Sequence, residues 1–329
     1  MKVAIIGDGG WGTCLSLLAQ RTMQVTVWGA FPEYIEQLRL SRENIKFLPG
    51  VKIPARIAFT GDLSVALRGA GLVILAVPSV HLRGVLGRMR PLLLGVTDVL
   101  SVVKGLEHHT QLRMSQVIRE ELGPKARIAV LSGPNIAGEI ARHIPAAAVC
   151  ACPHAGLARK VQDLLMQPWF RIYTHADLIG VEMGGALKNI IAIACGISDG
   201  LGFGTNTKAA LITRGLTEMA RFGSAQGAHA ATFYGLSGLG DVVTTAMSSS
   251  SRNRWLGEQL AKGRDLTKLL ASTEMVIEGV STTRAAAAMA RSQGIDMPIT
   301  TEVYRVLFQK KKPLAAVAAL MERTRKREI

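Results

Sequence analysis

The stretch from Lys2 to Trp28 restricts this chain more than any other. Lys2–Ile6 is an apolar run of strand length, and Gly7-Asp8-Gly9-Gly10-Trp11-Gly12 follows it. A helical stretch then continues to about Arg21, and Val25–Trp28 is a second apolar run. Strand, glycine turn, helix and strand form a βαβ unit. In that setting G-x-G-x-x-G is a dinucleotide fingerprint rather than a chance spacing. Gly7 permits the tight turn, Gly9 lets a pyrophosphate approach the backbone, and Gly12 lets the helix pack on the strand. Free N–H groups at the helix start complete the anion site. A glycine-rich turn with no ligand is the weaker alternative.

The pattern continues. Leu72–Val77 ends in Pro78-Ser79, Asp98–Val103 ends at Lys104-Gly105, and Arg127–Leu131 ends at Ser132-Gly133-Pro134-Asn135. Helical stretches such as His81–Arg90 and Gln111–Leu122 alternate with these strands, and Ala146–Ala151 and Trp169–Thr174 read as two more. Phe47–Gly50 and Lys52–Pro54 read as a loop. After about Asp177 only helical stretches remain, the first being 183–198. The expected fold is therefore α/β: an N-terminal Rossmann-type doubly wound parallel sheet over 1–180 and a C-terminal all-helical domain over 181–329. Ligands of such sheets sit beyond the carboxyl ends of strands, where Lys104, Gly133 and Asn135 fall. The end of the second strand usually distinguishes NAD from NADP through an acid or an arginine. Here it reads Trp28-Gly29-Ala30-Phe31, with Glu33 the nearest acid along the chain, and gives no signal.

A chain of 329 residues exceeds what one core usually serves, which agrees with two domains. Lys and Arg number 39 against 24 Asp and Glu, a net charge of +15 that attracts anions. The four cysteines, at 14, 150, 152 and 195, form no C-x-x-C pair and join no histidine cluster, so no metal is expected. Small buried apolar roles and a reducing, cytoplasmic compartment suit them. Asp8 interrupts any signal-peptide core, and no run of 18 or more uncharged apolar residues marks a membrane span. Lys310–Lys312 and Arg323–Arg327 are basic but lack interleaved aromatics, so they read as solvated surface rather than a nucleic-acid site.

Within the helical half, Met183–Ser198 is apolar nearly all round and carries one charge, Lys188. A helix apolar on every side is packed on every side. Desolvation lowers the pKa of a lysine held there, by up to ~3–5 units in full burial, which suits proton transfer near neutral pH. By itself, a lysine snorkelling from near the helix start is the better account. Gly238-Leu239-Gly240-Asp241 sets a carboxylate among glycines, with Thr244 and Thr245 after it. Ser248–Ser251 then precedes Arg252-Asn253-Arg254 at a predicted helix start. Hydroxyl, guanidinium, amide and free N–H groups together fit a phosphate, and an ordinary capped surface helix fits the same residues equally.

Together, a dinucleotide fold, an amine and an anion site point to hydride transfer on a small phosphorylated ketone. Lys188 can protonate the alkoxide, Asp241 can orient the lysine, and Lys104 can add positive charge. Two other readings remain: a dinucleotide sensor without chemistry, and a related dehydrogenase of the 6-phosphogluconate or hydroxyacid type.

The chain resembles the bacterial NAD(P)-dependent glycerol-3-phosphate dehydrogenase family almost end to end. The matching stretches include GDGGWGT at 7–13, FLPGVKIP at 47–54, KGLE at 104–107, SGPNIAGE at 132–139, GALKNIIAIACGISDGLGFGTNTKAALITRGLTEM at 185–219, GLSGLGD at 235–241, SSRNR at 250–254 and EGVSTT at 278–283. The resemblance implies reversible reduction of dihydroxyacetone phosphate to sn-glycerol 3-phosphate with NAD(P)H, feeding phospholipid synthesis. It implies Lys188 as proton donor and acceptor. Substrate positions fall on Lys104, Gly133, Asn135, Asn189, Asp241, Thr245, Ser251, Arg252 and Asn253. Cofactor positions fall on Gly10, Trp11, Ala30, Lys104, Ala137, Arg252, Val276 and Glu278, beside the fingerprint glycines. Ala30 stands where the family often has His or Arg, and Asn135 where Ser or Thr is common. An apolar helical face left exposed would imply a homodimer.

Overall fold

Both faces of the first strand are covered. Val3 and Ile5 fall in one buried apolar cluster, and Ala4 and Ile6 fall in another. A strand buried on both faces reads as a continuous apolar run, which is how a sheet with helices on each side announces itself. The computed structural model describes residues 1–93, 98–325 and 327. Lys326 of the C-terminal basic run lies outside the described residues. The chain divides into two compact units, one of residues 1–104 and 112–182, the other of 105–111 and 183–329.

The first unit contains β1 (Lys2–Ile6), α1 (Gly10–Ala19), β2 (Gln24–Trp28), α2 (Pro32–Ser41), β3 (Glu43–Asn44), β4 (Leu48–Lys52), β5 (Ile57–Thr60) and α3 (Leu63–Leu67). It continues through β6 (Ala70–Leu75), α4 (Ser79–Met89), β7 (Asp98–Ser101), α5 (Met114–Leu122), β8 (Arg127–Ser132), α6 (Ala137–Ala141), β9 (Ala146–Ala151), α7 (Ala155–Leu165) and β10 (Phe170–His175). The sheet order is β10-β9-β8-β7-β6-β1-β2-β5. Strands from β5 to β8 are mutually parallel through β2, β1, β6 and β7.

Two features depart from the sequence reading. β9 pairs antiparallel with β8, and β10 runs parallel to β9, so one edge of the sheet is reversed. The link between β8 and β9 carries only the five-residue α6. A helix that short rises about 7.5 Å, too little to carry the chain back along a strand for a parallel return. The Phe47–Pro54 stretch is not all loop: β4 pairs antiparallel with β3, Glu43 opposite Lys52 and Asn44 opposite Leu48. Pro49 and Gly50 inside β4 hide it, because both residues are depleted in strands.

The second unit is helical. α8 (Leu178–Gly200) enters it from the first unit and is followed by α9 (Thr205–Ala225), α10 (Asp241–Met247), α11 (Arg252–Ala261), α12 (Leu266–Ala271), α13 (Glu278–Ser292), α14 (Pro298–Phe308) and α15 (Pro313–Met321). α8 is the one described helix long and apolar enough to cross a membrane, but 89% of that window is buried inside the protein. It begins at Leu178, so Lys188 lies well inside it rather than near its start. α8 and α11 touch backbone to backbone. A Cβ on Gly196 would lie 1.9 Å from the carbonyl oxygen of Arg254, and one on Gly257 would lie 2.2 Å from that of Ile193. Only glycine allows that approach.

Candidate active site

In the first unit the turn between β1 and α1 is shaped by what has no side chain. Gly7 has φ +125°, a region open mainly to glycine, and its N–H donates to the carbonyl of Trp28 at 2.9 Å. A Cβ on Gly12 would sit 2.0 Å from the Gly7 oxygen, and one on Gly10 2.4 Å from the Phe47 oxygen. Gly9, the N-cap of α1, differs: nothing lies within 4 Å of the position its Cβ would take. The turn is thus closed on the protein side and open at Gly9, beside the N–H groups of the first helical turn. That is the form of an anion cradle. Trp11 packs into the core edge-on to Phe170 at 6.3 Å, and its Nε1 is buried with no hydrogen-bond partner.

A side chain that sequence reasoning missed fixes this turn. Asn44 is fully buried, and its Nδ2 donates to the carbonyl of Asp8 at 2.8 Å and to Thr13 Oγ1 at 2.7 Å. Its Oδ1 accepts from the Tyr34 hydroxyl at 2.6 Å and from the Phe47 N–H at 3.0 Å. All four bonds open to an amide are made. The only sequence signal is the neighbouring Phe47-Leu48-Pro49-Gly50 turn, which does not single out Asn44. Nor does the sequence single out the Asp8 carboxylate. Its Oδ2 is buried and unpartnered. Burial raises its carboxyl above the ordinary value, against the opposing pull of its own backbone N–H and of Lys46.

At the carboxyl ends of β7 and β8, Lys104 Nζ donates to the carbonyl of Gly133 at 3.1 Å. Gly133 has φ +132°, and a Cβ there would press on β9, 3.1 Å from the Ala148 Cα. Two residues on, both amide atoms of Asn135 are buried and lack hydrogen-bond partners, as does the hydroxyl of Ser132. Orphaned polar atoms of this kind call for a ligand or water, because each costs about 1–3 kcal/mol left unpaired. Ala137 opens α6 and packs against the core, whereas Ala30 is an exposed methyl just past β2.

In the second unit Lys188 is buried and does not snorkel freely. Its Nζ lies 2.7 Å from Asp241 Oδ1 and donates to Thr245 Oγ1 at 2.5 Å. The threonine hydroxyl lies 3.2 Å from the same carboxylate oxygen. Asp241 is 1% exposed, so the amine and the acid are buried together and each supplies the charge the other needs. Asp241 opens α10 directly after a π-helical turn, Leu236–Gly240, a rare geometry that tends to occur at functional sites. Close packing sets that turn against α8, since a Cβ on Gly184 would lie 2.7 Å from the Ser237 oxygen.

The next residue along α8 extends the cluster. Asn189 Oδ1 accepts from Asn253 Nδ2 at 2.9 Å, and Asn253 Oδ1 accepts from the Gly279 N–H at 2.9 Å. One amide hydrogen of Asn253 remains for a ligand. Ser251 caps α11, its Oγ accepting from the Arg254 N–H at 3.2 Å and keeping its own hydrogen to donate. Arg252 is exposed in the first turn of α11, and one arm donates to the carbonyl of Val276 at 2.7 Å. Glu278 opens α13. The unit therefore holds three bonded groups: Lys188 with Asp241 and Thr245, Asn189 with Asn253, and Arg252 with Val276, with Ser251 capping α11 beside the last two. Within the first unit the fingerprint glycines form one group, and Lys104, Gly133 and Asn135 form another.

Comparison with known proteins accounts for nearly the whole chain. Residues 2–158 match the model of the NAD-dependent glycerol-3-phosphate dehydrogenase N-terminus, and residues 177–318 match that of its C-terminus. The chain is 49% identical over 329 residues to a glycerol-3-phosphate dehydrogenase [NAD(P)+] of Moorella thermoacetica, covering 100% of this chain and 98% of that protein. It is 46% identical over 330 residues to the protein of that name from Citrifermentans bemidjiense, covering 99% and 98%. The crystal structure of glycerol-3-phosphate dehydrogenase from Coxiella burnetii superposes with a TM-score of 0.94 at 38% identity, over 98% of this chain and 99% of that one. The chain belongs to the NAD-dependent glycerol-3-phosphate dehydrogenase family.

Proposed function

We propose that this chain interconverts dihydroxyacetone phosphate and sn-glycerol 3-phosphate with NAD(P)H, a step that supplies glycerol phosphate for phospholipid synthesis. The observation that carries the reading is the buried Lys188–Asp241–Thr245 cluster, an amine held against a carboxylate in a protein whose other unit has a dinucleotide turn. Residues 1–180 act as the dinucleotide-binding domain and residues 181–329 as the helical substrate and catalytic domain. The turn fits the cofactor, because the open side of Gly9 leaves the backbone approachable while its neighbours are closed. Gly7, Gly9, Gly10, Trp11 and Gly12 would hold the pyrophosphate, with Ala30, Lys104, Ala137, Arg252, Val276 and Glu278 as further cofactor positions. When bound, the nicotinamide supplies the hydride for the carbonyl carbon.

The chain's own residues supply the rest. Lys188 as ammonium gives a proton to the carbonyl oxygen as charge develops there, and as amine it takes that proton back in the reverse direction. Asp241 keeps Nζ fixed by the ion pair, and Thr245 holds it from a second side. Ser251, Arg252 and Asn253 at the start of α11 grip the phosphate with a hydroxyl, a guanidinium, an amide hydrogen and helix N–H groups. Lys104, Gly133, Asn135 and Asn189 complete the substrate contacts. We place the enzyme in the cytoplasm, and we read it as a homodimer from the exposed apolar side chains of Val243 and Met247 on α10. Sedimentation tests the dimer.

Nicotinamide absorbance followed with dihydroxyacetone phosphate and with unphosphorylated dihydroxyacetone tests the main reading. Oxidation of NADH or NADPH with at least a tenfold preference for the phosphate ester is expected, about 1.4 kcal/mol in transition-state binding. Equal or reversed preference favours a dehydrogenase for another substrate, and silence with both favours a dinucleotide sensor.

A further inference from the structure

The end of β2 lacks the acid that in dinucleotide folds accepts a hydrogen bond from the adenosine ribose. The structure brings a carboxylate there from another loop. The bond from the Gly7 N–H to the Trp28 carbonyl ties the glycine turn to the last residue of β2. Asp8, next in sequence, then points its carboxylate at Gly29: a Cβ on Gly29 would lie 2.3 Å from Asp8 Oδ2 and 2.7 Å from its Cγ. Glycine at 29 makes room for the acid. Asn44 holds the Asp8 backbone from the other side through its carbonyl. Oδ2 has no hydrogen-bond partner, so a donor is wanting. Glu33, by contrast, is exposed in the first turn of α2.

We infer that Asp8 takes the place of the missing β2 acid, accepting a hydrogen bond from the adenosine ribose 2′-hydroxyl and turning the chain toward NADH over NADPH. The inference rests on the dinucleotide reading proposed above. A 2′-phosphate brought to the same spot meets the repulsion of a carboxylate, with Lys46 as a nearby cation. That lysine is exposed, lies 5.3 Å from the centre of the Phe47 ring, and is near enough to act on the Asp8 charge. Removing the acid leaves the lysine to attract the phosphate, so the preference should shift rather than merely fade.

The test uses the full chain and the variants Asp8→Asn and Asp8→Ser. The first removes the charge at constant shape, and the second serves if the amide disturbs folding. Calorimetric titration with 5′-AMP and with adenosine 2′,5′-bisphosphate reads the adenosine end alone. Initial rates with NADH and NADPH read the whole cofactor. The unmodified chain should favour AMP and NADH. In the variants both ratios should move at least tenfold toward the 2′-phosphorylated ligand. Equal weakening of both ligands would show that Asp8 only shapes the turn, and an unmodified preference for NADPH would also overturn the assignment. If the unmodified chain binds neither NADH nor NADPH, the dinucleotide reading fails and takes the inference with it. Normal NADH binding with unmoved ratios defeats the inference alone.

Discussion

The two candidate sites are made of different material. The turn after β1 is built from main chain: positions closed by the absence of a Cβ at Gly7, Gly10 and Gly12, and one position left open at Gly9. The helical site is built from side chains, with Lys188, Asp241 and Thr245 bonded to one another and Asn189 bonded to Asn253. Main chain offers many weak donors in a fixed frame, which suits a long anion gripped the same way before and after reaction. Side chains offer charge and a transferable proton, which a backbone does not carry. The first site should therefore govern binding and the second should govern rate.

The sharpest way to break that division is Lys188→Ala. Loss of a positioned general acid costs ~10²–10⁴ in rate. Turnover should fall by that much, while NADH affinity, followed by fluorescence titration, stays within a fewfold of the parent. Near-normal turnover would remove Lys188 from the chemistry, and lost NADH binding would show that Lys188 itself supports the cofactor.

That contrast also explains what the sequence displays. The glycine turn is legible because its constraints fall on neighbours along the chain, at fixed spacing after a strand. Lys188 stands out as a single charge in an apolar helix, but the partner that decides its state does not. Asp241 and Thr245 come from a distant helix, and periodicity cannot pair them with α8. Resemblance to a family links these stretches where spacing does not. Asn44 and Asp8 are less visible still, because their roles arise where one loop meets another. The β3–β4 hairpin is obscured by Pro49 and Gly50, and the reversed edge of the sheet follows from the shortness of α6, which no apolar run encodes.

Asn44→Ala should sharpen the same division by striking a side chain that serves the main-chain site. It strands the Phe47 N–H and takes one partner each from the Tyr34 hydroxyl, the Asp8 carbonyl and Thr13 Oγ1, the last two keeping their own bond at 3.4 Å. Roughly 1–3 kcal/mol is at stake for each buried group left unpaired, less whatever water recovers. Thermal unfolding should move down by several degrees, and KM for NADH should rise more than kcat falls. A fall in kcat alone would contradict the placement of Asn44 beneath the dinucleotide turn. Gly9→Ala asks the converse. Its Cβ meets no protein atom, so the melting temperature should hold, while NADH affinity drops by about tenfold, roughly 1.4 kcal/mol. Unchanged affinity would mean that the open side of Gly9 is not where the pyrophosphate lies.

The smallest expected effect concerns a buried acid of the helical unit that no proposed step uses. Glu218 is 3% exposed, and it accepts from the N–H groups of Ile299 and Thr300 at 2.5 and 3.1 Å and from the Thr300 hydroxyl at 3.2 Å. It thereby caps α14. Burial outweighs those bonds and raises its pKa from 4.5 to about 7. Between those two values the folded chain holds a proton that the unfolded chain has lost. The contribution of Glu218 to stability therefore falls as pH rises through that window, and it is level below 4.5 and above 7. Glu218→Gln removes the titration, so melting curves taken from pH 4.5 to 7.5 should decline less steeply in the variant than in the parent, whatever the variant's absolute stability. Parallel slopes would show that this acid keeps an ordinary pKa. Steady-state rates in the same window separate the roles, because a cap should leave the pH dependence of kcat unmoved. If kcat in the variant loses a titration near pH 7, the division between chemistry and scaffold inside the helical unit has been drawn in the wrong place.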